Sequence, residues 1–289
     1  LVDDLSVNLG DIDTSKITDM SGLFRGTQRT DFSGIEKWDV SKVEDMNNMF
    51  RRAESFNADI SKWDVGNVKD MGCMFAEAKS FNQDISNWNV SKVEYMNFMF
   101  SEATSFNQPI GKWNVGSVEN MSCMFDGATS FNQPIGEWDV SNVENMQDMF
   151  AFAKSFNADI SKWDVSNVRD MEGMFCGATS FNQDISKWKV DKVKYMGSMF
   201  FGAISFNQPI GKWNVGNVKN MVSMFREAES FNQDISDWDV SNVKNMVAMF
   251  YKAKAFNQDI SGWDLSKVER IDERTRKIII PNSSIAIIT

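Results

Sequence analysis

The chain has 289 residues, 42% apolar and 24% charged, so a sizeable core can form and extended disorder is excluded. Its 30 basic against 40 acidic residues leave a net charge of −10, which argues against nucleic acid or an anionic membrane as the main partner. There is no histidine, which removes imidazole metal sites, His-based triads and the commonest general base near neutral pH.

No apolar run is long enough to cross a membrane as a helix. The opening Leu1-Val2-Asp3-Asp4 has neither an initiator Met nor a basic, apolar signal segment, so the expectation is a processed product or an excerpt. Ten Trp and 19 Met against three Tyr indicate one short pattern copied many times.

In chain order, a degenerate unit comes first. Ile12 stands where later units carry Trp, followed by Ile17, Met20, Leu23 and Phe24, and 26 residues separate Ile12 from Trp38. Residues 1–37 are therefore predicted to be an N-terminal cap with a degenerate repeat. Nine complete units fill 38–262, with Trp38, Trp63, Trp88, Trp113, Trp138, Trp163, Trp188, Trp213, Trp238 and Trp263 each 25 residues apart. The pattern fades after Val268 and Ile271, and 263–289 is predicted to be a C-terminal cap. The whole of 1–271 is read as a single solenoid domain, whose end coils need distinct outer faces. The tail Ile278–Thr289 is apolar and β-prone, and is expected to form strands over the last coil. The rival expectation is an open edge that pairs with another chain.

Within a unit, Ile60-x-x-Trp63-x-Val65 alternates apolar and polar residues, which predicts a short strand with one buried face. Met46, Met49, Phe50 and Ala53 lie at i, i+3, i+4 and i+7, one apolar face of a helix of nine to eleven residues. Ser41 with Glu44 has capping-box spacing. Asn57 and its equivalents every 25 residues to Asn257 occupy the corner from helix back to strand. There their amides are expected to satisfy buried backbone groups as a ladder. In three units Asp-Ile-Ser becomes Pro-Ile-Gly (Pro109–Gly111, Pro134–Gly136, Pro209–Gly211), two solutions to one turn. Parallel strands stack at about 4.8 Å and helices at about 8–10 Å, so the coil must curve with strands inside. The fold class predicted is α/β: a right-handed, leucine-rich-repeat-like solenoid with one short parallel strand and one short helix per coil. An all-β solenoid is the alternative. Circular dichroism of the α/β form would show about a third helix.

Ile60-x-x-Trp63-x-Val65-x-x-Val68 has leucine-rich-repeat spacing, with Val where that family usually carries Asn. The longer string Ser230-Phe231-Asn232-Gln233-Asp234-Ile235-Ser236-x-Trp238-Asp239-Val240-Ser241-Asn242-Val243 resembles the repeat of BspA-like bacterial surface proteins, and it recurs through nine units. The resemblance implies a secreted or cell-surface protein that works by binding, often as an adhesin, with no shared catalytic residues.

Searching the residues for chemistry gives structural readings first. The Trp and Met stripes read as core, each indole N–H seeking a backbone carbonyl or the Asn ladder. Cys73 and Cys123 lie two coils apart, about 9.6 Å, beyond the roughly 7 Å Cα limit of a disulfide, so three free thiols with Cys176 and no zinc site are expected. Adjacent Asp39/Asp64 or Asp139/Asp164 offer at most a weak Ca²⁺ site. The sequons at Asn89, Asn120 and Asn282 read as chance. No catalytic residue, cofactor or metal is assigned.

Variation marks what a scaffold does not need. The predicted strand face carries a polar ladder of mixed sign: Lys62, Asp64, Asn89, Lys112, Asn114, Glu137, Asp139, Lys162, Asp164, Lys187, Lys189, Asn214 and Asp239. It is the candidate concave partner-binding surface. Phe201, Val222, Val247 and Tyr251 form a candidate convex contact patch. The function expected is a non-enzymatic cell-surface or secreted repeat protein that binds a protein or glycan partner in adhesion or recognition. The alternative is a structural subunit of a surface layer or filament assembled through solenoid ends, with self-association through the C-terminal tail.

Overall fold

The computed structural model describes residues 2 and 4–280. Successive 25-residue coils stack on one another, and one residue per coil forms a parallel bridge to the next. The bridges run unbroken from Asp19↔Asp45 through Asp45↔Asp70 and Asp70↔Tyr95 to Asn245↔Arg270. The regular link between coils is thus a parallel β rung shortened to one residue. It falls several residues after the Trp, not at Ile60–Val65 as the alternation predicted.

The expected helix over Met46–Ala53 is not formed. The segment is a run of turns in which successive N–H groups take different destinations. Met46, Asn48, Phe50 and Arg52 donate to Asp70, Gly72, Met74 and Ala76 of the next coil at 2.8–2.9 Å. The residues between them turn back locally: Met49 to Met46, Arg51 to Asn48 and Ala53 to Phe50, at 3.0–3.1 Å. Asn48 (φ 58°) and Arg52 (φ 60°) are left-handed, four residues apart, and the same two positions recur in later coils as Cys73 and Glu77 or Phe98 and Glu102.

A left-handed non-glycine residue costs about 1–2 kcal/mol. The cost is offset because an α-helix spends all its interior N–H groups on its own carbonyls, whereas this backbone sends half of them across to a neighbour. Met46, Met49, Phe50 and Ala53 are all buried. The helical spacing therefore identified the inward face and misassigned the element. The capping box does not form either: the Ser41 hydroxyl donates to Asp39 (2.6 Å) and the Glu44 N–H to Thr18 O (2.8 Å).

The core is three columns of rings with methionines between them. Phe50 stacks on Phe75 (5.7 Å, 3°), Phe56 on Phe81 (5.6 Å, 14°) and Trp38 on Trp63 (6.4 Å, 1°). Within a coil Phe50 and Phe56 stack at 3.8 Å. Each ring also packs on its own copy one coil away, the nearest-neighbour arrangement of a solenoid.

Around the Trp, side chains replace backbone as the inter-coil link. Trp63 N–H turns back to Ile60 O (3.1 Å), while its indole Nε1 donates to Ile35 O of the preceding coil (3.1 Å). Every later indole repeats this, to Trp263 on Ile235 O (3.2 Å). The corner Asn residues do form a ladder: Asn107 N–H donates to Asn82 Oδ1 (2.9 Å), and Gln108 Nε2 donates to Asn82 O and Oδ1 (2.9 and 3.0 Å). The corner is exposed or half-exposed, not buried as expected, and Gln is an equal partner in it. The Pro-Ile-Gly variants serve the adjoining turn. Asp59 Oδ1 caps Ser61 N–H (2.9 Å), whereas in the variant a Cβ on Gly111 would collide with the Pro134 carbonyl of the next coil.

The ends are closed by different means. At the N-terminus buried Arg29 donates to Asp4 O (2.6 Å), Val7 O (3.2 Å) and Asp31 O (3.0 Å), pinning the entering chain over the first coil. At the other end the helix α1, Glu273–Ile279, replaces the expected strands over Ile278 and Ile279; residues 281–289 of that predicted tail lie outside the described residues. Asp272 caps α1, and its carboxylate accepts the Ala248 N–H that earlier coils would give to a carbonyl. Ile279 is fully buried against the core.

Because α1 is a helix of only seven residues, far-UV circular dichroism is expected to lack the strong helical bands of an α/β repeat. Phe125→Ala, in the middle of a ring column, is expected to cost about 3–5 kcal/mol, read as a lower denaturant midpoint.

Candidate partner-binding surfaces

Trp63 and Val65 point inward, and Lys62 and Asp64 between and before them point outward, so the predicted polar ladder is exposed throughout. Its two columns do different work. In the column of Asp64, each Asp or Asn binds the backbone two residues on: Asp64 with Gly66 (3.1 Å), Asn89 with Ser91 (3.2 Å), Asp164 with Ser166 (3.0 Å) and Asp239 with Ser241 (3.0 Å). This is an Asx turn, and it explains why the column holds Asp or Asn in every coil but that of Lys189. Serine hydroxyl bonds lower the Asp139, Asp164 and Asp239 carboxyls below their usual range. Asn114, Asp139 and Asn214 make the same turn. Lys189 breaks the column, and there Asn214 Nδ2 donates to Asp191 Oδ1 (2.7 Å).

The column of Lys62 has no such duty. Lys112 and Lys187 project from it without an ion pair among the described residues, while Lys162 pairs with Glu137 (2.6 Å) and Lys212 with Asp237 (2.7 Å) across adjacent coils. Among the described residues no group of three or more Cys, Asp or Glu is placed to hold a metal ion.

The predicted convex patch is half-exposed, and it is not purely apolar. Arg226 sits between Phe201 and Tyr251, its guanidinium 5.2 and 5.0 Å from the two ring centroids. Lys252 and Arg274 also lie over Tyr251, each at 5.4 Å. Phe201, Arg226 and Tyr251 share one register 25 residues apart, and the expected apolar patch left out the Arg226 that stands between its two rings. Val222 and Val247 flank it on adjacent coils.

On the same turn face, Cys123, Asp126, Asp148 and Cys176 come near one another. Burial, with Asp148 and Glu102 alongside, raises Asp126 from 3.8 to about 6. Burial also raises Asp148, against the bond from Gln147. Burial pushes Cys123 up to about 12 and Cys176 to about 11, with nearby carboxylates adding to both. All three cysteines are free thiols.

One feature escaped the sequence reading. Beside the bridge column, the residue before each rung is charged and exposed, and its sign changes once along the middle coils. Glu94, Glu119 and Glu144 are followed by Arg169, Lys194 and Lys219. Tyr95 and Tyr195, 41% exposed, stand in the adjoining rung column. A shallow groove beside the acidic stretch is lined by Ser117, Glu119, Asn142, Glu144 and Asn167.

A family model described as "Mycoplasma protein of unknown function, DUF285" matches the chain three times, over residues 2–109, 105–205 and 185–285. No curated protein matches. Among solved structures, the chain is similar to the functional domain of InlJ from Listeria monocytogenes, which includes a cysteine ladder. The identity is 12% and the TM-score 0.29, over 89% of this chain and 63% of that one. It is also similar to a leucine-rich-repeat protein of Leptospira interrogans at 6% identity and TM-score 0.19, over 92% of this chain and 79% of that one. The chain thus spans less than two thirds of the InlJ domain. Superpositions this loose carry no argument about fold, which rests on the ladders described above.

The folded chain holds the Asp126 proton to about pH 6 and an ordinary carboxyl releases it near 3.8, so stability falls as pH rises between them. Asp126→Asn is expected to lessen that fall, leaving the part due to the raised Asp148, and to stabilise the protein at pH 7 by about 1 kcal/mol, screening at this half-exposed site reducing the effect. Denaturation midpoints across this pH range check it. The raised Cys123 and Cys176 thiols are expected to react with a thiol reagent at pH 7 only after denaturation.

Proposed function

The chain belongs to the family described as Mycoplasma protein of unknown function, DUF285, and from that premise we propose that it is a non-enzymatic, partner-binding scaffold at a cell surface. The BspA-like repeat string and the extracellular location it implies are part of this reading.

The observation that carries it is the division of labour within each coil. The Trp, Phe, Met and Val positions repeat almost unchanged and are buried. The residue before each Trp is exposed, free of turn duty, and varies in charge: Lys112, Glu137, Lys162, Lys187, Lys212, Asp237. A rigid frame that presents side chains at fixed spacing and differs only in what it presents suits recognition of an extended surface. The bound partner is read as a protein with acidic patches facing Lys162, Lys187 and Lys212, a glycan being the other outcome of the test. The Asx turns of Asp64, Asn89, Asp164 and Asp239 hold the local turn that follows each of these positions. The cation–π column of Phe201, Arg226 and Tyr251 is a second candidate contact.

The test is binding of the purified chain to arrays of extracellular matrix proteins and glycans. The triple variant Lys162→Glu, Lys187→Glu, Lys212→Glu is expected to bind its array partner about tenfold more weakly, each exposed ion pair being worth about 0.2–1 kcal/mol. Binding unaffected by these changes, or no binding to either array, overturns the reading.

A further inference from the structure

The charged column beside the rungs points to a specific partner: we propose that a second copy of this chain docks on it, side by side and antiparallel. Three acidic coils, Glu94, Glu119 and Glu144, are followed by three basic ones, Arg169, Lys194 and Lys219. All six side chains are exposed. A polyanion would meet the acidic half of this column unfavourably, and a polycation the basic half. A surface with the opposite order of charge fits both halves, and the chain itself supplies one when turned around.

A two-fold axis passing between the Glu144 and Arg169 coils sets each residue opposite its counterpart. Glu94 faces Lys219 of the second copy, and Glu119 faces Lys194 of the second copy. By symmetry each contact occurs twice, as in any isologous interface. Both copies have the same spacing along the stack, so alignment at one coil aligns its neighbours.

The ion pairs within one copy point the same way. Arg169 already binds Glu144 (3.1 Å), at the centre of the proposed contact. Beyond its ends Lys69 binds Glu44 (2.7 Å) and Lys244 binds Glu269 (2.9 Å), which neutralises the positions where the two-fold would oppose lysine to lysine. Among the described residues Glu94, Glu119, Lys194 and Lys219 have no ion pair within the chain, and these are the four that the second copy would pair. In the next column the same axis sets Tyr95 opposite Asn220 and Tyr195 opposite Asn120. That places two part-exposed aromatic rings, of a type enriched at interfaces, within the contact.

The test uses two complementary variants of the full chain. Lys194→Glu with Lys219→Glu makes the column acidic throughout its middle. Glu94→Lys with Glu119→Lys makes it basic. The unmodified chain is expected to form a dimer at low ionic strength by sedimentation equilibrium. Its dissociation constant should rise about tenfold or more in about 1 M salt, where the screening length falls to about 3 Å. Each variant alone is expected to be a monomer, and an equimolar mixture of the two to form a one-to-one heterodimer. All four positions are exposed, and unchanged circular dichroism and melting would show that each variant still folds. A chain that stays monomeric at low salt, a dimer that both variants retain, or variants that fail to combine when mixed would overturn the proposal.

Discussion

The structure depends on a choice each backbone N–H makes along Met46–Ala53 and its repeats: inward to the same coil or across to the next. Alternation of the two, made possible by a left-handed residue at every fourth position, joins the coils without a helix or a strand longer than one residue. A continuous helix would satisfy its own carbonyls and leave neighbouring coils joined by side-chain packing alone. A full strand would need more extended backbone than the turn between Val65 and Met71 leaves. The solution found keeps the coil short and ties each coil to both neighbours.

Where the backbone does not reach across, side chains substitute for it. The Trp indole, the Asn–Gln corner and the Asn67-type amide each donate to, or accept from, the adjacent coil. This is why the Trp and the corner Asn recur in every regular coil: a change would leave a backbone group without a partner there. The Asp and Asn of the polar ladder belong to the same class, since they hold their own turn. Asp272 shows the rule at its limit. Its side chain takes the place of a coil that is not there and starts the helix that covers the end.

What remains variable lies outside this bonding scheme and faces solvent. Three such columns stand out: the residue before Trp, the residue before the rung, and the turn face that holds Phe201, Arg226 and Tyr251. The stack turns a 25-residue sequence interval into a short spatial step, so charges far apart in the chain become neighbours. The carboxylates and thiols near Asp126 are neighbours for the same reason, and their shifted titration follows from partial burial.

The sequence by itself determined the period and the inward face of each coil. Met46, Met49, Phe50, Ala53, Trp63 and Val65 were all legible as buried, because burial depends on which residues recur and not on the backbone path between them. It also located the Asn corner and the free thiols. The element type was not legible, because a four-residue turn repeat and an α-helix place apolar residues at the same i, i+3, i+4 and i+7 positions. The positions with positive φ separate the two: glycine stands there at Gly22, Gly26, Gly127, Gly173, Gly177 and Gly202, but Asn, Arg, Cys, Phe, Glu, Asp, Ser, Ala or Lys fill them in the other coils, which dilutes the signal. The tertiary structure alone decided that N–H groups cross between coils, that the Asp column serves turns, and that a helix closes the C-terminal end. Each of these depends on what the adjacent coil places opposite a residue, and that neighbour is 25 residues away in sequence.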